Sequence, residues 1–199
     1  MSLARGWRWR RAELAAAVLL VACPGCRTLF VEPDGGELSA GVVAADFGSM
    51  RNVAVSGNVW LGSTPALADL DLARRRDVRC VIDLCAPDER AAYDVAARCA
   101  ELGIEYVHAG VAGKESISED VVDRVLAVLA REETEHLLLV CRDGSRAAMF
   151  MAIHRVIVEG ESLHDAVIEA RRAGMRPGFQ ERFVRAQVER LGAGERLDG

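Results

Sequence analysis

The 199-residue sequence predicts an α/β domain on a mainly parallel sheet of four to five strands flanked by helices. Three observations predict it. From about residue 51, short apolar runs alternate with stretches of helical period. Two of those runs, VRCVIDLC (78–85) and HLLLV (136–140), are almost continuously apolar, as strands covered on both faces are. Finally, HLLLV passes through CRDGSR into a long apolar helix, so a buried strand hands over to a helix through a tight loop.

The elements follow in order. Arg5, Arg8, Arg10 and Arg11 precede an apolar run from Leu14 to Ala22, too short for a spanning helix and suited to the core of an export signal over residues 1–22. The run ends Leu20-Val21-Ala22-Cys23, which resembles the lipobox of bacterial lipoproteins. That resemblance implies a lipid on Cys23 and an exported, membrane-anchored lipoprotein on the periplasmic or cell-surface face. Residues 23–50 keep no period and hold several Gly, Ser and Pro, so they are expected to form a flexible tether. The folded domain is expected over 51–195.

RNVAVSGNVWLGS alternates around Ser56-Gly57, the pattern of a hairpin. Thr64 is placed as an N-cap, with Pro65 at the first helical position of PALADLDLARRR. PDERAAYDVAARCAELG reads as an amphipathic helix ending at Gly103, and IEYVHAGV as the next strand. Ser116 and Glu119 form a capping box for SEDVVDRVLAVLAR. Two or three further helices follow HLLLV, through AAMFMAIHRVIVEG, SLHDAVIEARRAG and FQERFVRAQVERLG.

Composition narrows the function. With 51% hydrophobic and 28% charged residues the chain has an ordinary globular profile, and its net charge of −5 argues against a dedicated nucleic-acid binder. His108, His136, His154 and His164 lack a metal-ligand spacing, and the six cysteines form no zinc pattern. Neither a Walker loop nor a dinucleotide glycine pattern is present. No metal and no cofactor are therefore expected, and a monomer is. Cys80 and Cys99 read as core residues.

The chemistry concentrates at VCRDGSRAAMF, residues 140–150. In parallel sheets ligands sit beyond the carboxyl ends of strands, beside helix N-termini, and Cys141 falls there. Backbone N–H groups from Arg142 through Asp143, Gly144 and Ser145 to Ala147 would converge on an anion and add to the helix field. Such a field lowers a cysteine pKa from about 8.5 toward ~3.5–7.5. Gly144 permits the turn, and the Arg146 guanidinium could fork two oxygens of an oxyanion.

Cys141-Arg142-Asp143-Gly144-Ser145-Arg146 resembles the active loop of cysteine-dependent phosphatases and of rhodanese sulfurtransferases. The flanking segments NVWLGSTPALADL, VIDLCAPDERAAYD, ELGIEYVHAGV and EARRAGMRPGFQERF, in that order, resemble the dual-specificity, protein-tyrosine-phosphatase-like superfamily. The nearest likeness is to bacterial phosphatase-like proteins sometimes fused to β-lactamase-like hydrolases. The resemblance covers about residues 52–190 and implies the dual-specificity-phosphatase-like fold. It also implies phosphomonoester hydrolysis through a phosphocysteine at Cys141, with a phosphorylated protein or small phosphomonoester as substrate. In tensin-type members a cysteine in the context of Cys85 protects the nucleophile by forming a disulfide, which makes Cys85 the implied redox partner.

Departures from the family pattern qualify the activity. The loop runs six residues from cysteine to arginine where most such phosphatases have seven. Val140 replaces the usual histidine, Ala147 the usual hydroxyl residue, and Val111-Ala112 stand where the general-acid aspartate is common. Glu115 is the nearest carboxylate that a loop could bring in, with Asp88 and Glu89 as lesser candidates. Asp143 adds a negative charge to the anion cradle unless its carboxylate points away. The six-residue loop also suits sulfur transfer through a Cys141 persulfide, and the losses suit an inactive binding module.

Overall fold

The computed structural model describes residues 41–89, 93–111 and 117–194. The expected signal, Cys23, most of the tether, Glu115 and Ser116 lie outside the described residues.

Among the described residues one six-stranded sheet runs in the order β1-β2-β3-β6-β4-β5. Its strands are β1 (Val43–Ala44), β2 (Ala54–Ser56), β3 (Val59–Ser63), β4 (Val78–Asp83), β5 (Glu105–His108) and β6 (His136–Cys141). β3, β6, β4 and β5 are parallel, while β1 and β2 add an antiparallel edge. The hairpin between β2 and β3 turns at Gly57, whose φ of +53° favours glycine. β6 arrives last in sequence and fills the gap between β3 and β4, so its carboxyl end opens at the middle of the parallel sheet.

Among the described residues six helices cover the two faces: α1 (Leu67–Arg75), α2 (Val95–Glu101), α3 (Glu119–Leu129), α4 (Ser145–Ile157), α5 (Leu163–Arg172) and α6 (Phe179–Gly194). Strand alternation decides which residues meet which layer. Leu137, Leu139 and Cys141 join the core under α3, α4, α5 and α6, whereas Leu138 and Val140 join the smaller core under α1 and α2. Val140 therefore packs away from Cys141. Cys80 belongs to the first core and Cys99 to the second, as a small apolar side chain does. Burial pushes the Cys80 thiol up to about 12 and the Cys99 thiol up to about 11.

The domain starts earlier than the sequence pattern suggests. Residues 41–50, expected in the tether, supply β1 and a buried anchor, Phe47. Its ring meets Trp60 edge-on at 5.2 Å, and the Arg76 guanidinium lies over both rings at 4.7 and 4.6 Å. The buried Asp69 carboxylate accepts from the Ser49 N–H at 2.8 Å and the Ser49 hydroxyl at 2.7 Å. A two-residue strand has no period to detect, which is why composition alone hid it.

Three helix starts also shift. Asp69 caps α1 from within by accepting from the Ala66 N–H at 2.8 Å, so Ala66 rather than Thr64 is the N-cap. α2 begins at the Asp94 cap, preceded by a short 3₁₀ turn at Pro87–Glu89, instead of running from residue 87. Ser118, not Ser116, caps α3 through the Val121 N–H.

At the far end of α4, His154 is fully buried between two carboxylates, Nε2 at 3.5 Å from Glu132 and Nδ1 at 3.4 Å from Glu159. These three could in principle hold a cation, a grouping the spacing of histidines does not reveal. Arg155 beside them, buried, pairs with Glu159, Glu161 and Glu169.

The packing of residues 41–50 generates a stability prediction. Phe47→Ala should lower the unfolding free energy by about 3–5 kcal/mol, the usual cost of emptying an aromatic core site. Urea denaturation measures it, and a loss within about 0.5 kcal/mol would return these residues to the tether.

Candidate active site

Parallel register puts the carboxyl ends of four strands in one row. Ser63 pairs with Cys141, and Asp83 pairs with both Val140 and His108. Beyond that row the chain turns within three residues from β6 into α4, with Gly144 as the helix N-cap at φ +90°. A Cβ at Gly144 would come within 3.1 Å of the Asn52 Cβ and 3.2 Å of the Asn52 carbonyl oxygen. Both the dihedral and the close approach therefore demand glycine.

Cys141 is fully buried, and its Sγ accepts from the Gly144 N–H at 3.1 Å. The thiol also faces the Asp143 Oδ1 at 3.8 Å. The loop is braced from outside by Asn52, whose Nδ2 donates to the Asp143 carbonyl at 2.7 Å. Asn52 itself sits at φ +50°, a conformation asparagine tolerates better than most residues.

Asp143 does not point freely into the cradle. Its Oδ1 accepts from the Ser145 N–H at 3.1 Å and hydroxyl at 2.8 Å, and its Oδ2 pairs with Arg176. Burial alone would raise this carboxyl, but the Ser145 bonds and the Arg176 charge outweigh it and hold it below the usual carboxylate range. Arg176 and Gln180 were not singled out in the sequence. Gln180 bridges the Arg176 N–H, at 2.6 Å, to the Ser145 hydroxyl, at 3.2 Å. They sit in the MRPGFQ segment, whose likeness was visible while its contacts with the loop were not.

Arg146 leans back under the sheet edge. Its guanidinium pairs with Glu89 and donates to the Val111 carbonyl and, at 3.3 Å, to the Leu84 carbonyl. Burial favours its neutral form, yet Glu89 and the Cys141 sulfur raise its pKa further. Glu89, a lesser candidate for the general acid, is thus a positioning residue for Arg146. It also accepts from the Ala86 N–H at 3.1 Å. Arg142, by contrast, extends into solvent. Ala147 is fully buried in the helix start, where a hydroxyl would lie close to the core.

Cys85 and Cys141 are both free thiols. The Thr64 hydroxyl lies 3.4 Å from the Cys85 Sγ and donates to the Cys141 carbonyl at 3.5 Å, a linking role that replaces its expected cap. Burial pushes the Cys85 thiol up to about 12. His108 contacts the Cys85 carbonyl at 2.9 Å through Nε2, a structural partner on β5. Asp83 accepts from the Cys85 N–H and the Tyr106 hydroxyl, both at 2.8 Å. A cavity of about 520 Å³ opens over the loop, lined among others by Arg142, Asp143, Ser145 and Arg146.

No protein-family model and no curated protein matches the chain. Solved structures do. Tk-PTP in its active form is 22% identical over 68% of this chain and 93% of its own, with a TM-score of 0.58. P. aeruginosa TpbA in complex with pTyr is 18% identical over 79% of this chain and 99% of its own, with a TM-score of 0.60. The core catalytic domain of the PP-IP phosphatase SIW14 from S. cerevisiae, in complex with citrate, is 17% identical over 74% and 94%, with a TM-score of 0.58. At these identities the likeness establishes the fold, and it is the phosphatase fold expected from the sequence.

The Asp143 pairing generates a pH-dependent prediction. Because its folded carboxyl lies below the unfolded value of about 4, its charge stabilises the fold above that value. The contribution is lost as pH falls through the folded value. Asp143→Asn, which keeps the shape and removes the charge, should cost ~1 kcal/mol at pH 7. Denaturation curves of the two proteins should converge as pH drops from about 5 toward 3. A gap that stays constant over that range contradicts the charge pairing.

Proposed function

We propose that the chain is a cysteine-dependent phosphomonoesterase. The observation that carries the reading is the Gly144 N–H aimed at the Cys141 Sγ at 3.1 Å, at the start of a helix whose second residue is Arg146. This arrangement holds a sulfur nucleophile where an oxyanion would also meet backbone donors. The fold shared with Tk-PTP, TpbA and SIW14 supports it, and so does the pTyr held by TpbA.

In this reading the Cys141 thiolate attacks phosphorus, an S–P bond forms, and the P–O bond to the leaving group breaks. The loop amides not already engaged, those of Arg142, Asp143, Arg146 and Ala147, and the Arg146 guanidinium take the developing charge. The Gly144 N–H faces the sulfur, the Ser145 N–H is taken by Asp143, and Glu89 keeps the guanidinium in place. Glu115 delivers a proton to the departing oxygen. Water then cleaves the S–P bond, releasing inorganic phosphate and the thiolate. Lipid attachment at Cys23 would present this site at a membrane surface outside the cytoplasm.

Hydrolysis of aryl phosphates and thiosulfate-to-cyanide sulfur transfer, measured side by side, test the reading. Cys141→Ser should abolish the phosphatase activity, and Arg146→Ala should reduce it by about 10²–10³-fold or more. Glu115→Gln should lose ~10²–10⁴-fold on phenyl phosphate and far less on p-nitrophenyl phosphate, whose leaving group needs little protonation. Full phosphate turnover by Cys141→Ser refutes the thiolate route. Sulfur transfer without phosphatase activity selects the persulfide chemistry that the six-residue loop also suits.

Lipidation is tested separately by intact-mass analysis of protein from its native host. A chain beginning at Cys23 with added acyl mass is expected, and an unmodified, freely soluble chain refutes the anchor.

A further inference from the structure

We propose that the cavity contains a second anion subsite, built on Arg51 and Arg142, that selects phosphoesters bearing another phosphate near the scissile one. The inference rests on the phosphomonoesterase reading of Cys141 and names its substrate class.

The charges around the cavity do not balance. Arg51, Arg142, Arg146 and Arg176 line it against two carboxylates, Glu89 and Asp143. Two positive charges are left over in a chain whose net charge is −5. The carboxylates are already assigned: Glu89 pairs with Arg146 and Asp143 with Arg176. Arg142 comes no nearer than 4.0 Å to Glu89, and 72% of its side chain is exposed. Among the described residues, no acidic side chain pairs with Arg51.

Arg51 is exposed, yet its backbone is fixed to the site. Its N–H donates to the Ser63 hydroxyl at 2.8 Å, and its carbonyl accepts from the Ser63 N–H at 2.9 Å. The next residue, Asn52, holds the Asp143 carbonyl. The guanidinium of Arg51 thus springs from a segment clamped to the loop, and Arg142 springs from the loop itself. The backbones of both are thus fixed beside Cys141, while their exposed side chains reach over the cavity.

One phosphoryl dianion on the loop would use the amides and Arg146. A phosphotyrosyl group brings no second charge and leaves Arg51 and Arg142 unmatched. A further phosphate on the same small ester would match them, and guanidinium groups bind phosphate oxygens in pairs. A volume of about 520 Å³ accommodates such an ester, with the partly exposed Ile117 and Phe179 offering apolar surface to its carbon skeleton. A soluble sugar phosphate and a phosphorylated lipid headgroup share this chemistry.

Binding rather than turnover tests the subsite, using full-chain Cys141→Ser protein and titration calorimetry. Fructose 6-phosphate, fructose 1,6-bisphosphate and inorganic pyrophosphate serve as probes beside orthophosphate. The tighter of the two doubly phosphorylated probes should bind at least tenfold better than its single-phosphate counterpart. Arg51→Ala or Arg142→Ala in the same background should bring that ratio below about threefold. Equal affinity for single and double phosphates, or a ratio unmoved in both variants, overturns the proposal. Co-sedimentation with phosphatidylcholine vesicles containing phosphatidylinositol 4-phosphate, against vesicles containing phosphatidylinositol, assigns the source. Selective capture identifies a lipid headgroup, and equal capture a soluble ester. If the wild type hydrolyses no aryl phosphate while the ratio behaves as expected, the catalytic reading fails and the subsite stands.

Discussion

The burial of α4 governs the rest of the site. Ser145 and every residue from Ala147 to Arg155 are buried, so the helix is enclosed on nearly all sides by the sheet and by α3, α5 and α6. A helix packed so closely has little freedom to slide or rotate. Its N-terminus is therefore held against the carboxyl end of β6, itself fixed between β3 and β4. The three residues between them must complete the turn in that fixed gap, which imposes the positive φ at Gly144 and the contact with Asn52. The Cys141 sulfur is presented by packing at a distance, and no rearrangement is needed to orient the amide that faces it.

Charge is arranged around that rigid turn in paired fashion. Half-buried Arg146 would resist desolvation alone, and half-buried Asp143 likewise, so each has an opposite charge against it, Arg176 reaching Asp143 from solvent. Glu89 draws Arg146 back beneath the strand ends, and Arg176 draws the Asp143 carboxylate toward α6. The second pairing accounts for an acidic residue inside an anion cradle. Asp143 caps the Ser145 N–H of α4, so its negative charge serves the helix terminus while Arg176 offsets it. An aspartate in this turn is thus compatible with anion binding when a cation from another segment is supplied.

Most of the fold was legible because the parallel strands are apolar on both faces and the helices carry their own punctuation. HLLLVC and VRCVID lie where their composition puts them, and Gly57 turns the hairpin. What escaped detection depended on long-range partners. Phe47 reads as an isolated aromatic until Trp60 and Arg76 close around it. Thr64 has the residue type of an N-cap, but Asp69 five residues on takes that function by reaching Ala66 and Ser49 together. At the site, the loop from Cys141 to Arg146 was visible from residue types and spacing. Arg51, Asn52 and Arg176 were not, because they approach it from segments 91 and 33 positions away in the chain.

The same pairing narrows where a proton donor can come from. Asp83 accepts from Cys85 and Tyr106, Glu89 from Ala86 and Arg146, and Asp143 from Ser145 and Arg176. Each of these carboxylates is committed to holding a backbone or a guanidinium. The rigid strand ends supply the anchors, and in the proposed reaction the proton would come from a carboxylate outside this set, Glu115. The Val111 carbonyl accepts from Arg146. In the proposed reaction the guanidinium that would grip the phosphoryl oxygens thus also holds Val111, four residues before Glu115 in the chain. Under that reading one side chain would serve both the oxyanion site and the chain that leads to the donor.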